Sequence, residues 1–416
     1  MRNSIQRLVI VVSALALIGY GTGFQAADQD DDVTYEIRPL QSLGGTSSRG
    51  NGINDWGLVA GFSNLTGNAA RRATVWLHDH KFDLDTLGGT NSSVAWTGLK
   101  NGGLVVGIAQ TNKLQTRKDG WSCRIFFPAP DRGKYTCLGF VWEWGRQELL
   151  SLPTLGGDNS FATSANNRRQ VVGWAENTVQ DSKCVNPEDV QFRAVLWDLN
   201  RNQTIPLPPY GNDGSGAATA ISDHGQVVGI SGDCDQSVGR RTARHAVLWE
   251  NGTVKDLGNL GADTWNTPTA ITNAGDIVVG FANTPGADPD APAFRAWLWT
   301  EREDIACSKR PGTNICDLGT LDGGTGTAEA WGVNERGQVV GTSCSPSGDC
   351  RAFLWENGEM KDLDKLKGAY PHLVLNAMDI NNLGEITGRS QISSTEFEAF
   401  IATPKRKTPG VVLQKP

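Results

Sequence analysis

Five histidines, five tyrosines and three methionines are all that this chain of 416 residues has of those types. The histidines do not gather near the cysteines and no CxxC pair with zinc-like spacing occurs, so nothing suggests a structural zinc site. No nucleophile elbow, phosphate loop or zinc-protease motif is present either. Acidic residues outnumber lysine and arginine, for a formal charge of −7. Binding to a phosphate backbone needs clustered positive charge, which is missing, so nucleic acid is not expected as a partner. Beyond the first thirty residues no apolar stretch suits a membrane span, and no long stretch repeats apolar residues at the helical period.

What is abundant is glycine, at 50, and tryptophan, at 14. That composition fits many short strands joined by tight turns, and an all-β chain is expected. The first residues look like an export signal: Arg2 and Arg7 precede the apolar run "LVIVVSALALIGYG", too short to span a bilayer, and small residues follow near Ala26 and Ala27. The expected organisation is a signal peptide at 1–27, an acidic disordered start at 28–34, one repeat domain at 35–404 and a tail at 405–416. Removing the signal takes the formal charge to −9 and leaves no membrane span, so a secreted or periplasmic monomer is expected.

Eight cysteines in an exported chain argue for disulfides. Cys123 with Cys137, Cys307 with Cys316, and Cys344 with Cys350 each fall inside one interval between strand signals. Cys184 and Cys234 are left, either as a bridge between neighbouring repeats or as free or intermolecular thiols.

Self-similarity sets the fold class. An "LGG"-type turn recurs at Leu43, Leu87, Leu155, Tyr210, Leu260, Leu321 and Leu366, marking seven units. Each is followed by a strand–turn–strand segment such as "AISDHGQVVG" or "GVNERGQVVG", then a third strand such as "HAVLW" or "RAFLW", and usually a fourth such as "VKDLGNL". Four-stranded units averaging about 54 residues suit the blades of a β-propeller. Here the expectation is a seven-bladed β-propeller closed by the N-terminal strand. The seventh repeat has no evident fourth strand, and Tyr35 to Leu40 is a fourth strand without partners; "GVVLQKP" at the C-terminus competes for the same place. Trp76, Trp142, Trp197, Trp249, Trp299 and Trp355 share one repeat position, which points to packing between blades.

At "RHAVLW", "RAFLWENGEMKDL" and "GVNERGQVVGTS" the sequence resembles the HAF family of extracellular repeats, named for a His-Ala-Phe tripeptide. The resemblance runs from Tyr35 to about Pro404, over seven copies. It implies an exported, propeller-like repeat protein of bacteria, and it brings no defined reaction and no catalytic residues. The copies here depart from the pattern in having Arg more often than His, cysteine-rich insertions and a degenerate last repeat.

Function is expected where insertions accumulate. The segments Gln110 to Cys137, Ala175 to Gln191, Ser231 to Thr242 and Ala282 to Phe294 all join a second strand to a third, and so share one face. On it, Trp121 and Trp265 are not repeat positions; each either stacks on a sugar ring or partner side chain, or covers a local core. Asp288 and Asp290 are weak calcium candidates, as are Asp233 and Asp235, but solvated loop acids are the expected reading, so no cofactor is assigned. His78 and His80 fall in a short turn. Arg72, Arg193, His245, Arg295 and Arg351 open the third strand in five copies, and repetition favours internal ion pairs or carbonyl contacts over a ligand-facing ring. The leading function is a binding or interaction scaffold for an extracellular glycan or protein. The alternative, a polysaccharide lyase or hydrolase, needs a Tyr, His, Arg or carboxylate cluster at the channel mouth.

Overall fold

A computed structural model of the chain describes residues 33–406, apart from 98, 100, 118–120, 128–132, 147, 186–187, 235–242, 263 and 287–292. The expected signal peptide, Asp288, Asp290, Asp235 and the C-terminal "GVVLQKP" all lie outside the described residues. The described chain is strand and turn, with two short α-helices, Trp121–Phe126 and Leu363–Leu366. No helix among the described residues is long and apolar enough to cross a membrane.

The repeating unit is a four-stranded antiparallel sheet. In one copy its strands are Ser215–Ile221, Val227–Gly232, His245–Glu250 and Thr253–Asp256, paired in that order. Local chemistry sets the first turn. The Oδ1 atoms of Asn54, Asn166, Asn334 and Asn381 each accept the backbone N–H groups two and four residues ahead, and Ser222 and Thr272 use their hydroxyls on the residue four ahead. This is the turn chemistry that Asn and Ser offer.

A bulge falls at one place in the first strand of six units, between Gly50/Gly52, Ala162/Ser164, Ala218/Ala220, Pro268/Ala270, Ala330/Gly332 and Ala377/Asp379. It pushes a carbonyl towards the second strand. A Cβ at Gly61, Gly173 or Gly341 would collide with the carbonyl oxygen of Arg49, Phe161 or Glu329, and this explains the glycine that closes each "VVG".

Five four-stranded sheets span residues 88–151, 160–206, 215–256, 266–317 and 327–362. The remaining eight strands form one sheet, in which Phe397–Arg406 meets Gly44–Ile53 through the parallel bridge Ser47↔Phe397. Val33–Pro39 pairs with Phe397–Arg406, so the N-terminal segment does supply the missing partner. That strand begins two residues inside the stretch expected to be disordered, and its partner runs two residues past Pro404.

Apolar faces of neighbouring sheets pack on each other. Ala220, Val228 and Leu248 meet Ile271, Val278, Trp297 and Trp299, and similar clusters fill the other junctions. All six repeat tryptophans of the third strand are buried. Three send their indole N–H back to the preceding connector, at Gln41, Pro153 and Pro208.

A hydrogen-bonded chain links the first turns of successive units. Asp55 N–H donates to Asn101, Gly102 N–H to Asn167, Asn167 to Asp223, Asp223 to the Asn273 carbonyl, Asn273 to Glu335, Glu335 to Asn382, and Asn382 back to Asp55. The last link joins residues 327 apart in sequence. The cystines are the three expected local pairs, Cys123–Cys137, Cys307–Cys316 and Cys344–Cys350, and Cys184–Cys234, the bridge between neighbouring repeats rather than free thiols. They fit an oxidising, non-cytoplasmic compartment.

Candidate binding site at the loop-bearing mouth

An up-and-down sheet puts its two tight turns at one end, and its strand-two-to-three loop and the connector to the next unit at the other. The long insertions therefore share an end with the connectors, as expected. The insertion after Leu104–Leu114 folds inward: Cys123, Cys137, Phe126 and Phe127 pack on Phe161, Trp174, Phe192 and Ile230 of later sheets. Trp121 opens its helix, but the Trp121 side chain lies outside the described residues.

Trp265 is half-buried and heads a series of rings. It meets Phe294 at 4.8 Å, Phe294 meets Phe281 at 5.0 Å, Phe281 meets Trp331 at 5.6 Å, and Trp331 meets Trp96 at 5.9 Å. Trp96 donates its indole N–H to the Thr269 carbonyl, 173 residues away, so side chains of distant sheets meet here. The indole N–H of Trp265 finds no acceptor among the described residues. Of the two readings of Trp265, its ring contact with Phe294 fits the cover of a local core.

The arginines that share the third-strand position are tied internally. Arg72 pairs with Asp85, His245 with Asp256 at 2.9 Å, and Arg351 with Asp364 at 3.5 Å, while Arg295 donates to the Gly324 carbonyl and Arg193 to the Gln191 side chain. Asp233 holds Lys183 and Arg244. His78 and His80 flank a turn whose His78 carbonyl accepts from Arg38. No group of three or more His, Cys, Asp or Glu side chains suited to a metal occurs among the described residues.

A different cationic set faces the mouth. Arg49, Arg71 and Arg389 come from the strands Gly44–Ile53, Arg71–Leu77 and Ile386–Gln391. The guanidinium carbons of Arg71 and Arg49 lie 3.9 and 5.5 Å from the centre of the same ring, Phe62, and that of Arg389 lies 4.6 Å from Phe397. Arg71 donates to the Phe126 carbonyl at 2.8 Å. The Nε atoms of all three are buried without a partner, and none of the three has an ion pair among the described residues. Burial first, and then the charges of Arg389 and Arg71, push the Arg49 guanidinium down to about 9. Burial and Arg389 bring Arg71 down to about 10.

Sequence reasoning passed over these three because it weighed repeated positions. The signal lay in departure from the repeat. The residue after the glycine of the second strand, which closes "VVG" in five copies, "VAG" in the first and "ITG" in the last, is Phe62, Ile108, Trp174, Ile230, Phe281 and Thr342 in six copies and Arg389 in the last.

Glu329 sits one pair before the glycine register in its sheet, opposite Thr342, as Arg49 does opposite Phe62. Burial pushes its carboxyl up to about 7, against a hydrogen bond from Trp331 that pulls the other way. With the folded value raised above 4.5, the stability is fully present below pH 4.5 and is lost as pH rises towards 7. Glu329 keeps some exposure, so the loss is discounted for solvent screening. Glu329→Gln is expected to be more stable than the parent by about 1–3 kcal/mol at pH 8, and equal to it at pH 4. Thermal melts at both values check this; an equal gap at both would mean that titration is not the cause.

The chain matches no known sequence family and no curated protein. Solved structures do resemble it. Acylaminoacyl peptidase from Pyrococcus horikoshii aligns over 88% of this chain at 10% identity, with a TM-score of 0.50. This chain covers 54% of that structure, so it spans about half its length. An oligogalacturonate lyase from Vibrio parahaemolyticus aligns over 90% of this chain and 98% of its own at 11% identity, with a TM-score of 0.46. At these identities the likeness concerns the fold alone. The chain is an all-β protein of propeller-like fold, built from repeated four-stranded sheets.

Proposed function

We propose that this is an exported, seven-bladed propeller of the HAF repeat type that binds an extracellular ligand, carbohydrate before protein, at its loop-bearing mouth. Seven is supported by the seven repeats, by the chain of turn-to-turn hydrogen bonds that returns to Asp55, and by the place of Val33–Pro39 beside Phe397–Arg406. In this reading the eight-stranded sheet is two blades joined at the bridge Ser47↔Phe397.

The observation that carries the binding reading is the aromatic series from Trp265 to Trp96, set among long loops that two cystines hold in place. Flat rings supply large contact area with little entropy to lose, and loops fixed in advance lower the cost of ordering them on binding. A glycan array probed with the purified protein tests this. The double variant Trp121→Ala, Trp265→Ala is expected to lose array binding while staying folded. The half-buried Trp265 makes a fall of a few degrees in melting temperature the expected cost, about 1–2 kcal/mol. Retained binding would move the site away from this mouth.

A second reading, a polysaccharide lyase or hydrolase, is favoured by one observation: Glu329 can hold or release a proton near neutral pH, as a general acid or base must. Scoring released product on the same array separates the two. Turnover that Glu329→Gln abolishes would make the protein an enzyme, and binding without product leaves it a scaffold.

A further inference from the structure

We infer that the ligand of this mouth is an anionic carbohydrate, its acidic group held by Arg49, Arg71 and Arg389 and its sugar faces set against the neighbouring aromatic rings. The inference rests on the mouth being the binding surface and adds the chemical class of what binds there.

Three strands bring the three guanidiniums together around Phe62 and Phe397. Burying like charges side by side without a counter-charge destabilises a fold, and removing an anion from such a group leaves it uncompensated. Among the described residues several other arginines, Arg72, Arg351, Arg169 and Arg302, hold carboxylates. At the mouth it does not, although Asp and Glu outnumber Lys and Arg by 45 to 38 in the sequence. The buried Nε–H groups have no acceptor of their own, and the planar guanidinium matches the paired oxygens of a carboxylate or sulfate. Burial first, and the neighbouring like charges second, weaken the hold of Arg49 and Arg71 on their protons, and an anion entering beside them opposes both effects.

Carbohydrate is favoured over an acidic peptide by the rest of the wall. Phe397 and Trp331 are half-buried rings, and Glu329, which accepts a hydrogen bond from Trp331, supplies a carboxyl that can accept from or donate to sugar hydroxyls. An acidic peptide would bring more carboxylates towards Glu329 without using the aromatic faces.

Isothermal titration calorimetry of the full mature protein tests this with four probes: a mannuronate hexamer, a sulfated glucan hexamer, the unsulfated glucan hexamer and hexaglutamate. The mannuronate or sulfated hexamer is expected to bind and the other two not, and the better of the first pair identifies the acidic group. Arg389→Ala and Arg49→Ala are each expected to weaken that binding about tenfold or more. Both should keep or raise the melting temperature, since each removes an uncompensated charge. Raising salt from about 50 to 500 mM should also weaken binding. Equal binding of the neutral hexamer, or tighter binding of hexaglutamate, overturns the inference, as does binding of no probe. Hexamer binding that survives both arginine variants but is lost with Trp265→Ala overturns the anionic grip and leaves the mouth as the site. Binding that survives all three overturns the mouth as well.

Discussion

Removal of residues 33–39 is expected to lower the melting temperature by at least about 10 °C, far more than loss of a disordered tail would. Three effects combine. Tyr35 is 3% exposed and sits in a core with Val340, Leu354, Leu363 and Phe400, and Val33 and Ile37 pack against that core. Burial of these three side chains contributes on the order of 5 kcal/mol. The deletion also strips Phe397–Arg406 of its outer partner, exposing a row of unpaired backbone groups that invites association between chains. Finally, the last unit would be left with three strands while still carrying the junction with Gly44–Ile53, where Leu40 N–H donates to Ala399 and Ala399 N–H to Ser48. Thermal melts and size-exclusion profiles of the parent and truncated chains read both effects. An unchanged melting temperature would mean that the ends of the chain do not hold the fold closed.

The second large effect belongs to Cys184–Cys234. These residues lie 50 apart in sequence, in equivalent loops of neighbouring sheets, and Cys234 is buried. In the chain-entropy picture a closure of that length contributes about 4 kcal/mol, the most of the four bridges, whose other separations are 14, 9 and 6 residues. Paired replacement of Cys184 and Cys234 by Ser is expected to lower unfolding free energy by about that amount, read from the denaturant midpoint. Lys183 and Asp233 form an ion pair at 2.8 Å beside the bridge, which is too exposed to hold the loops together alone. Peptide mapping under non-reducing conditions should recover the other three cystines from the variant. A stability loss no larger than that from replacing Cys344 and Cys350 would contradict the loop-length argument.

Much of the architecture was legible because it is repeated. The Asn-led turns, the "VVG" glycines and the buried third-strand tryptophans each occur several times, so one physical cause, turn capping or a bulged carbonyl or a packed ring, leaves several copies of its signature. The three local cystines followed from the same periodicity, whereas Cys184 and Cys234 were left with two alternatives until the fold set their loops side by side. The mouth was less legible for the converse reason. Arg72 looked prominent as a repeat position and proves to be paired with Asp85, whereas its neighbour Arg71, pointing to the opposite side of the same strand, stands over Phe62. Arg49 and Arg389 are single departures in the first and second strands of different units, and only the fold brings them beside Arg71. Repetition reports what every unit needs to pack; a ligand site formed where two units meet is written once.

Hydrogen–deuterium exchange of the mature protein with and without the mannuronate hexamer tests the central claim most directly. Protection is expected in backbone around Arg49, Arg71, Arg389 and Trp265, at the loop-bearing end, with the turns at Asn54–Gly57, Asn166–Arg169 and Asn381–Gly384 unchanged. Protection confined to those turns, or none at all, would contradict it.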